Sequence, residues 1–216
     1  MWAILEKDMR IEFRSFAGLS ALFVLGLLVL LIFQFALPEK PTAESAAAGL
    51  WLSFVFAGTI GSQRTFLLER ENFAIDGLKT APVDPGSIFI AKMIGTLVSL
   101  TILQVVVVPL CVLFFNVAPA SPLSFALVCV LGNLGFSALA TLFASISVAT
   151  RAREIVLPLL VFPLLVPLVI AVVKISAVLF GGGTLADASV WLQILVAFDV
   201  VFSVAGWLLF EQVLRD

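Results

Sequence analysis

Residues 66–92 read FLLERENFAIDGLKTAPVDPGSIFIAK, and the fold is decided by what this stretch interrupts. It is the one long polar segment in a chain of 216 residues that is 62% hydrophobic and 12% charged, with a mean hydropathy of +1.22. Outward from it on both sides run charge-poor apolar segments of about 20 residues or more, the length that crosses a hydrocarbon core roughly 30 Å thick. Lipid offers no partner to backbone N–H and C=O groups, so spans this long and uniformly apolar are helices. Barrel strands would be shorter and would alternate apolar with polar residues. The chain therefore reads as an all-α polytopic membrane protein surrounded by lipid, with 66–92 as its means of meeting something soluble.

Six transmembrane helices are expected, at about 18–37, 47–67, 93–117, 123–149, 155–180 and 189–210. An even number of crossings puts both termini on one side. Lys7, Arg10, Arg14, Arg64, Arg70, Lys79, Lys92, Arg151, Arg153 and Arg215 then share that side and only Lys40 and Lys174 are left for the other, which makes the termini and the 66–92 loop cytoplasmic. Residues 1–17 set Trp2, Leu5, Met9, Phe13 and Phe16 against Glu6, Lys7, Arg10 and Arg14 on one turn of helix after another. That is the pattern of an amphipathic helix lying in the interface. The domain reading is thus 1–17 as interfacial helix and 18–216 as a six-helix transmembrane unit carrying the cytoplasmic loop 66–92. Trp51, Trp191 and Trp207 fall near span ends, as in an aromatic belt. The outer loops 38–46, 118–122 and 181–188 are too short to form a soluble domain.

Composition removes several functional classes. Two cysteines and no histidine give neither a disulfide framework nor metal-ligand spacing, and no basic patch points to nucleic acid. No G-x-x-x-x-G-K-[ST] phosphate loop occurs, so ATP is not bound by this chain. Within the spans, Asp199 is the polar candidate. Translocon scales put an aspartate at mid-span at roughly +2.5 to +3.5 kcal/mol unless it is paired, protonated or hydrated. Two readings stay open for it: a carboxyl hydrogen-bonded at a helix interface, or one with a transport or conformational role. Lys174, near the outer end of span five, is expected to snorkel. Asn133, Ser137, Thr141 and Ser145 recur every four residues in span four beside Gly132 and Gly135, a stripe that lets helices approach closely and hydrogen-bond. It is read as packing within the subunit rather than as a dimer seam. Cys111 and Cys129 are read as small apolar fillers. Pro158, Pro163 and Pro167 bend span five, and with Gly181-Gly182-Gly183 they leave room for a broken or re-entrant segment.

The central loop carries its own chemistry. Glu69, Arg70 and Glu71 alternate in sign, Phe73 and Ile75 precede the turn pair Asp76-Gly77, Leu78 leads to Pro82, and Pro82 and Pro85 bracket Val83-Asp84. Apolar residues interleaved with charge between turns describe a surface that docks into a partner's groove, whereas a bare connector would be polar throughout.

These residues also carry a family likeness. Glu69-Arg70-Glu71, Asp76-Gly77-Leu78, Pro82-Val83-Asp84, Ile88 and Lys92, set between spans two and three of a six-span chain, resemble CcmB, the permease subunit of the cytochrome c maturation system. The resemblance implies an ABC-2 exporter-like fold in the bacterial inner membrane. It also implies a separate CcmA-type ATP-binding subunit, a second copy of the chain, and as further partners a CcmC-type haem-handling membrane protein and a CcmE-type haem chaperone. The loop residues Glu69, Arg70, Glu71, Phe73, Asp76, Gly77, Leu78, Pro82 and Asp84 become the segment that couples to the ATPase. Haem is then the expected cargo of the complex. A chain without His or Tyr offers haem iron only Met or Cys, which makes it a poor stable carrier. Two alternatives stand beside this reading: a non-transporting scaffold of the haem-handling complex, and a permease of the same class with another cargo.

Overall fold

The computed structural model describes the backbone of residues 16–36, 42–71, 84–149 and 153–215 and the side chains of 23–36, 42–60, 84–143 and 161–210. Of the proposed interfacial helix over 1–17, residues 1–15 lie outside the described residues and 16–17 already belong to the first long helix; Phe73, Asp76, Gly77, Leu78 and Pro82 also lie outside the described residues.

Among the described residues the protein is entirely helical. Its elements are α1 (Phe16–Ala36), α2 (Ala43–Glu71), α3 (Pro85–Phe115), α4 (Pro122–Ala149), α5 (Arg153–Phe180) and α6 (Ser189–Arg215). Five of them, α2 to α6, carry stretches long and apolar enough to cross a membrane. α1 is a helix of 21 residues with no charged side chain, about 31 Å long at 1.5 Å per residue.

The starts of three helices follow one local rule. Thr42, Asp84 and Ser121 each cap the helix that follows by accepting the backbone N–H three residues on, from Ser45 at 3.2 Å, Ser87 at 3.0 Å and Ser124 at 3.3 Å. This satisfies an otherwise orphaned donor of the first turn. At Asp84 and Ser121 a proline follows in the first helical position, where its missing N–H loses nothing. The cap at Asp84 explains why α3 begins at Pro85 instead of near 93. Residues 85–92, assigned to the loop by hydropathy, are already helical. At the other edge α2 runs through Glu71, so Glu69-Arg70-Glu71 sit on its last turn, and the segment without described structure is 72–83.

α5 is continuous from Arg153 to Phe180 in spite of its prolines, so there is no break or re-entrant turn. Pro163 and Pro167 lie on the exposed side of the helix. The glycine run serves to stop it. The Gly183 N–H reaches Val178 O at 2.9 Å and the Gly182 N–H reaches Leu179 O at 3.4 Å. Gly182 itself takes φ +91, a conformation that favours glycine. Beyond it, the Thr184 backbone N–H and hydroxyl both donate to Asp187, each at 2.8 Å. Those bonds hold the exposed Asp187 carboxyl below its ordinary range.

Packing places α4 at the centre, against α2, α3, α5 and α6, while α1 covers α2 and α3. The main core joins Leu30, Leu50, Trp51, Phe54, Phe136, Leu139, Leu165 and Leu168, with edge-on ring contacts from Trp51 to Phe54 and from Phe54 to Phe136. Trp51 departs from the belt expectation. It is fully buried, its indole N–H donates to Ser176 Oγ at 2.8 Å, and a Cβ at Gly132 would stand 2.6 Å from its ring. A buried indole needs a partner for its N–H, and Ser176 supplies it. The two ends of the bundle hold distinct groups. At one, exposed Lys174 meets exposed Glu44 at 3.2 Å and the Ala120 N–H reaches Leu179 O at 3.0 Å. At the other, Ile88 and Phe89 of α3, Leu142 of α4 and Phe210 of α6 form a second core.

Candidate functional site

Two arrangements bear on function: a polar layer sealed inside the bundle, and the helix ends that frame the central loop.

The polar layer begins on α4. The Asn133 side-chain amide donates to Thr101 Oγ1 at 3.1 Å and to Gln104 Oε1 at 2.9 Å, both on α3. The Thr101 hydroxyl in turn donates to Leu97 O at 2.7 Å. Asn133 Oδ1 and Gln104 Nε2 are buried without hydrogen-bond partners. Further along the stripe, Ser137 donates to Leu134 O at 2.9 Å and buried Thr141 Oγ1 has no partner. Asn133, Ser137 and Thr141 are all fully buried within this one chain, so these three face its own helices. The side chain of Ser145 lies outside the described residues. Gln104 and Thr101 were not singled out from sequence. Their signal was an amide three residues from a hydroxyl in an otherwise apolar span, where a buried polar group needs a partner.

On the opposite side of α4, Asp199 of α6 packs against Gly135. The residue is 4% exposed, and neither carboxyl oxygen has a hydrogen-bond partner. A Cβ on Gly135 would overlap Asp199 Oδ1 and stand 2.5 Å from Leu168 and 3.1 Å from Phe198. The glycine is what admits the carboxyl.

The loop frame is an interlock between α3 and α6. Phe89 packs against Phe210 with ring centroids 5.7 Å apart. A Cβ on Gly206 would strike the Phe89 ring, and one on Gly86 would strike the Trp207 indole. α3 supplies Gly86 and Phe89, and α6 supplies Gly206, Trp207 and Phe210, so the first turns of α3 and the last turns of α6 fit closely together. Lys92 is buried in the same region. Asp84, exposed at the head of α3, is its N-cap. Of the coupling-loop candidates, it is the one whose side chain is described. The backbone of Glu69, Arg70 and Glu71 is helical, and their side chains lie outside the described residues.

Among the described residues no group of three His, Cys, Asp or Glu side chains is placed to hold a metal. Cys111, buried in the core with its Sγ 3.7 Å from Ala46 O, and the half-buried Cys129 are both free thiols.

These features sit on a sequence with clear relatives. Residues 1–214 match the family described as CcmB protein. The chain is 27% identical over 172 residues to heme exporter protein B of Rhodobacter capsulatus, and 30% identical over 173 residues to heme exporter protein B of Paracoccus denitrificans. Each alignment covers 79% of both proteins. The match runs from before α1 to the last turn of α6 and so takes in every helix, the loop and the polar layer together: the chain belongs to the CcmB family.

Proposed function

We propose that this chain is the permease subunit of an ABC-type haem exporter acting in cytochrome c maturation, with ATP hydrolysed by a separate CcmA-type subunit. The observation that carries this is the family match along residues 1–214, together with curated relatives named heme exporter protein B. A second copy of the chain, a CcmC-type haem-handling protein and a CcmE-type chaperone complete the proposed assembly. The basic residues beside the loop and at both termini argue for cytoplasmic ends in a bacterial inner membrane.

Work done on ATP elsewhere reaches a permease only through contact, and the α2–α3 connection is the cytoplasmic segment suited to make it. α2 carries Glu69-Arg70-Glu71 on its final turn, and α3 starts at a capped, rigid helix end whose first turns are interlocked with α6. A push on the residues between them is delivered into α3 and α6 at once. In this reading Phe73 and Leu78 fill an apolar groove of the ATPase and the charges of 69–71 make the flanking contacts.

The test replaces Phe73 and Leu78 by Ala and measures ATPase co-purification, ATP hydrolysis and cytochrome c yield. Truncating docking anchors costs on the order of 2 kcal/mol, a factor of tens in affinity, so capture of the ATPase should fall accordingly while the protein stays inserted at normal abundance. Unchanged capture with unchanged cytochrome c yield would reduce the loop to a connector.

A further inference from the structure

The carboxyl of Asp199 makes no hydrogen bond across the helix contact it occupies. A membrane-buried aspartate survives by pairing with a cation, by touching water, or by carrying a proton, and among the described residues neither of the first two is found: both oxygens are buried without a hydrogen-bond partner. Three helices pack against α6, namely α3, α4 and α5. The described titratable groups on them are Lys92 and Cys111 on α3, Cys129 on α4 and Lys174 on α5. Lys174 is committed to Glu44, and Cys111 points to Ala46 O. Cys129 stands six residues from Gly135, about 9 Å along α4. Lys92 lies about one turn along α3 from Phe89, whose ring packs on Gly206 and Phe210, and neither oxygen of Asp199 has a hydrogen-bond partner, so the carboxyl is not bonded to it. Among the described residues no cation pairs with the carboxyl, and neither oxygen presents surface that water can touch. Oδ1 lies against Gly135, at a spot that Leu168 and Phe198 also border. At 4% exposure the residue is closed to a partner chain as well.

We infer that Asp199 is a proton-binding site: in this packing of the bundle it carries a proton as a neutral carboxylic acid, sealed against Gly135 between α4, α5 and α6. Loss of the proton leaves a bare carboxylate in an apolar wall, a state the bundle accommodates only by letting α6 part from α4 so that water reaches residue 199. Proton binding and the α4–α6 contact are thus linked. The sealed arrangement takes up one proton relative to the parted one, so raising the pH favours parting and lowering it favours closure.

The experiment is infrared spectroscopy of the full chain in lipid vesicles at neutral pH, with aspartate labelled at its side-chain carboxyl carbon. The expected result is one labelled acid carbonyl band in the wild type, absent from Asp199→Asn, with the carboxylate bands equal in the two. Transfer to heavy water should shift that band slowly, because the proton is sealed. A carboxylate band lost in Asp199→Asn with the acid region unchanged overturns the inference, and immediate exchange overturns the sealing. Should the Asn variant fail to insert, the wild-type spectrum decides alone: no labelled acid carbonyl at neutral pH means that Asp199 is ionised and the assignment is wrong.

Discussion

Gly135 and Asp199 fit one another at the level of single atoms, and so does the pair of Gly132 with Trp51. In a close-packed interior, an added methyl with no room forces neighbours off their rotamers at about 1–3 kcal/mol. Gly135→Ala should therefore lower the thermal stability of the purified protein by that order, since the new Cβ would overlap Asp199 Oδ1. Gly95 is the matched control, a buried helical glycine in whose case a Cβ meets nothing within 4 Å. Gly95→Ala should be neutral or stabilise by up to about 1 kcal/mol. Equal effects at the two positions would show that helix propensity outweighs packing here. The same close fit explains why Trp51 left the interface. Its ring fills a slot at Gly132, and Ser176 answers its N–H.

At the scale of the element, the ends of α3 matter more than its middle. Asp84 sits in a loop whose sequence suggests docking, yet its side chain accepts the Ser87 N–H at 3.0 Å and so holds the first turn of α3. Removing such a cap costs about 1 kcal/mol, while Asn caps nearly as well as Asp. Asp84→Ala is expected to fray the turn that carries Gly86 and Phe89 and to lower cytochrome c yield, and Asp84→Asn to retain it. Loss of function in both variants, with ATPase capture reduced in both, would instead give the carboxylate a direct contact with the ATPase. α5 teaches the complementary lesson. Pro163 and Pro167 lie on the exposed side and the helix continues past them, because packing of its other face against α2, α4 and α6 holds the chain helical.

For the whole molecule, the two bundle ends differ in chemistry. One joins Glu44, Ala120 and the segment from Lys174 to Asp187. The other joins the start of α3 to the ends of α4 and α6. Successive helices run between these ends, and Arg70 at the end of α2, Arg153 at the start of α5 and Arg215 at the end of α6 fall at the second. Reporter fusions after Asp216 and within 72–83 should consequently read cytoplasm, and fusions within 181–188 the outer compartment. An outer signal from 72–83 would invert the topology and with it the proposed ATPase contact.

Sequence alone determined that this is a helical membrane protein, roughly where the spans fall, and which loop bears the family likeness. Those properties depend on local hydropathy, on the need to satisfy every backbone group within a span, and on a contiguous run of residues such as Glu69 to Lys92. Tertiary structure alone decided which polar groups meet: Asn133 with Gln104 and Thr101, Trp51 with Ser176, Asp199 with Gly135. A span that is apolar on every side has no polar face to fix its rotation about its own axis, so residue order cannot say what any side chain will face. Close approach at glycines and pairing of the few buried donors set that rotation. The same limit held at the loop edges: hydropathy marked where charge begins, and the cap at Asp84 set where the helix begins.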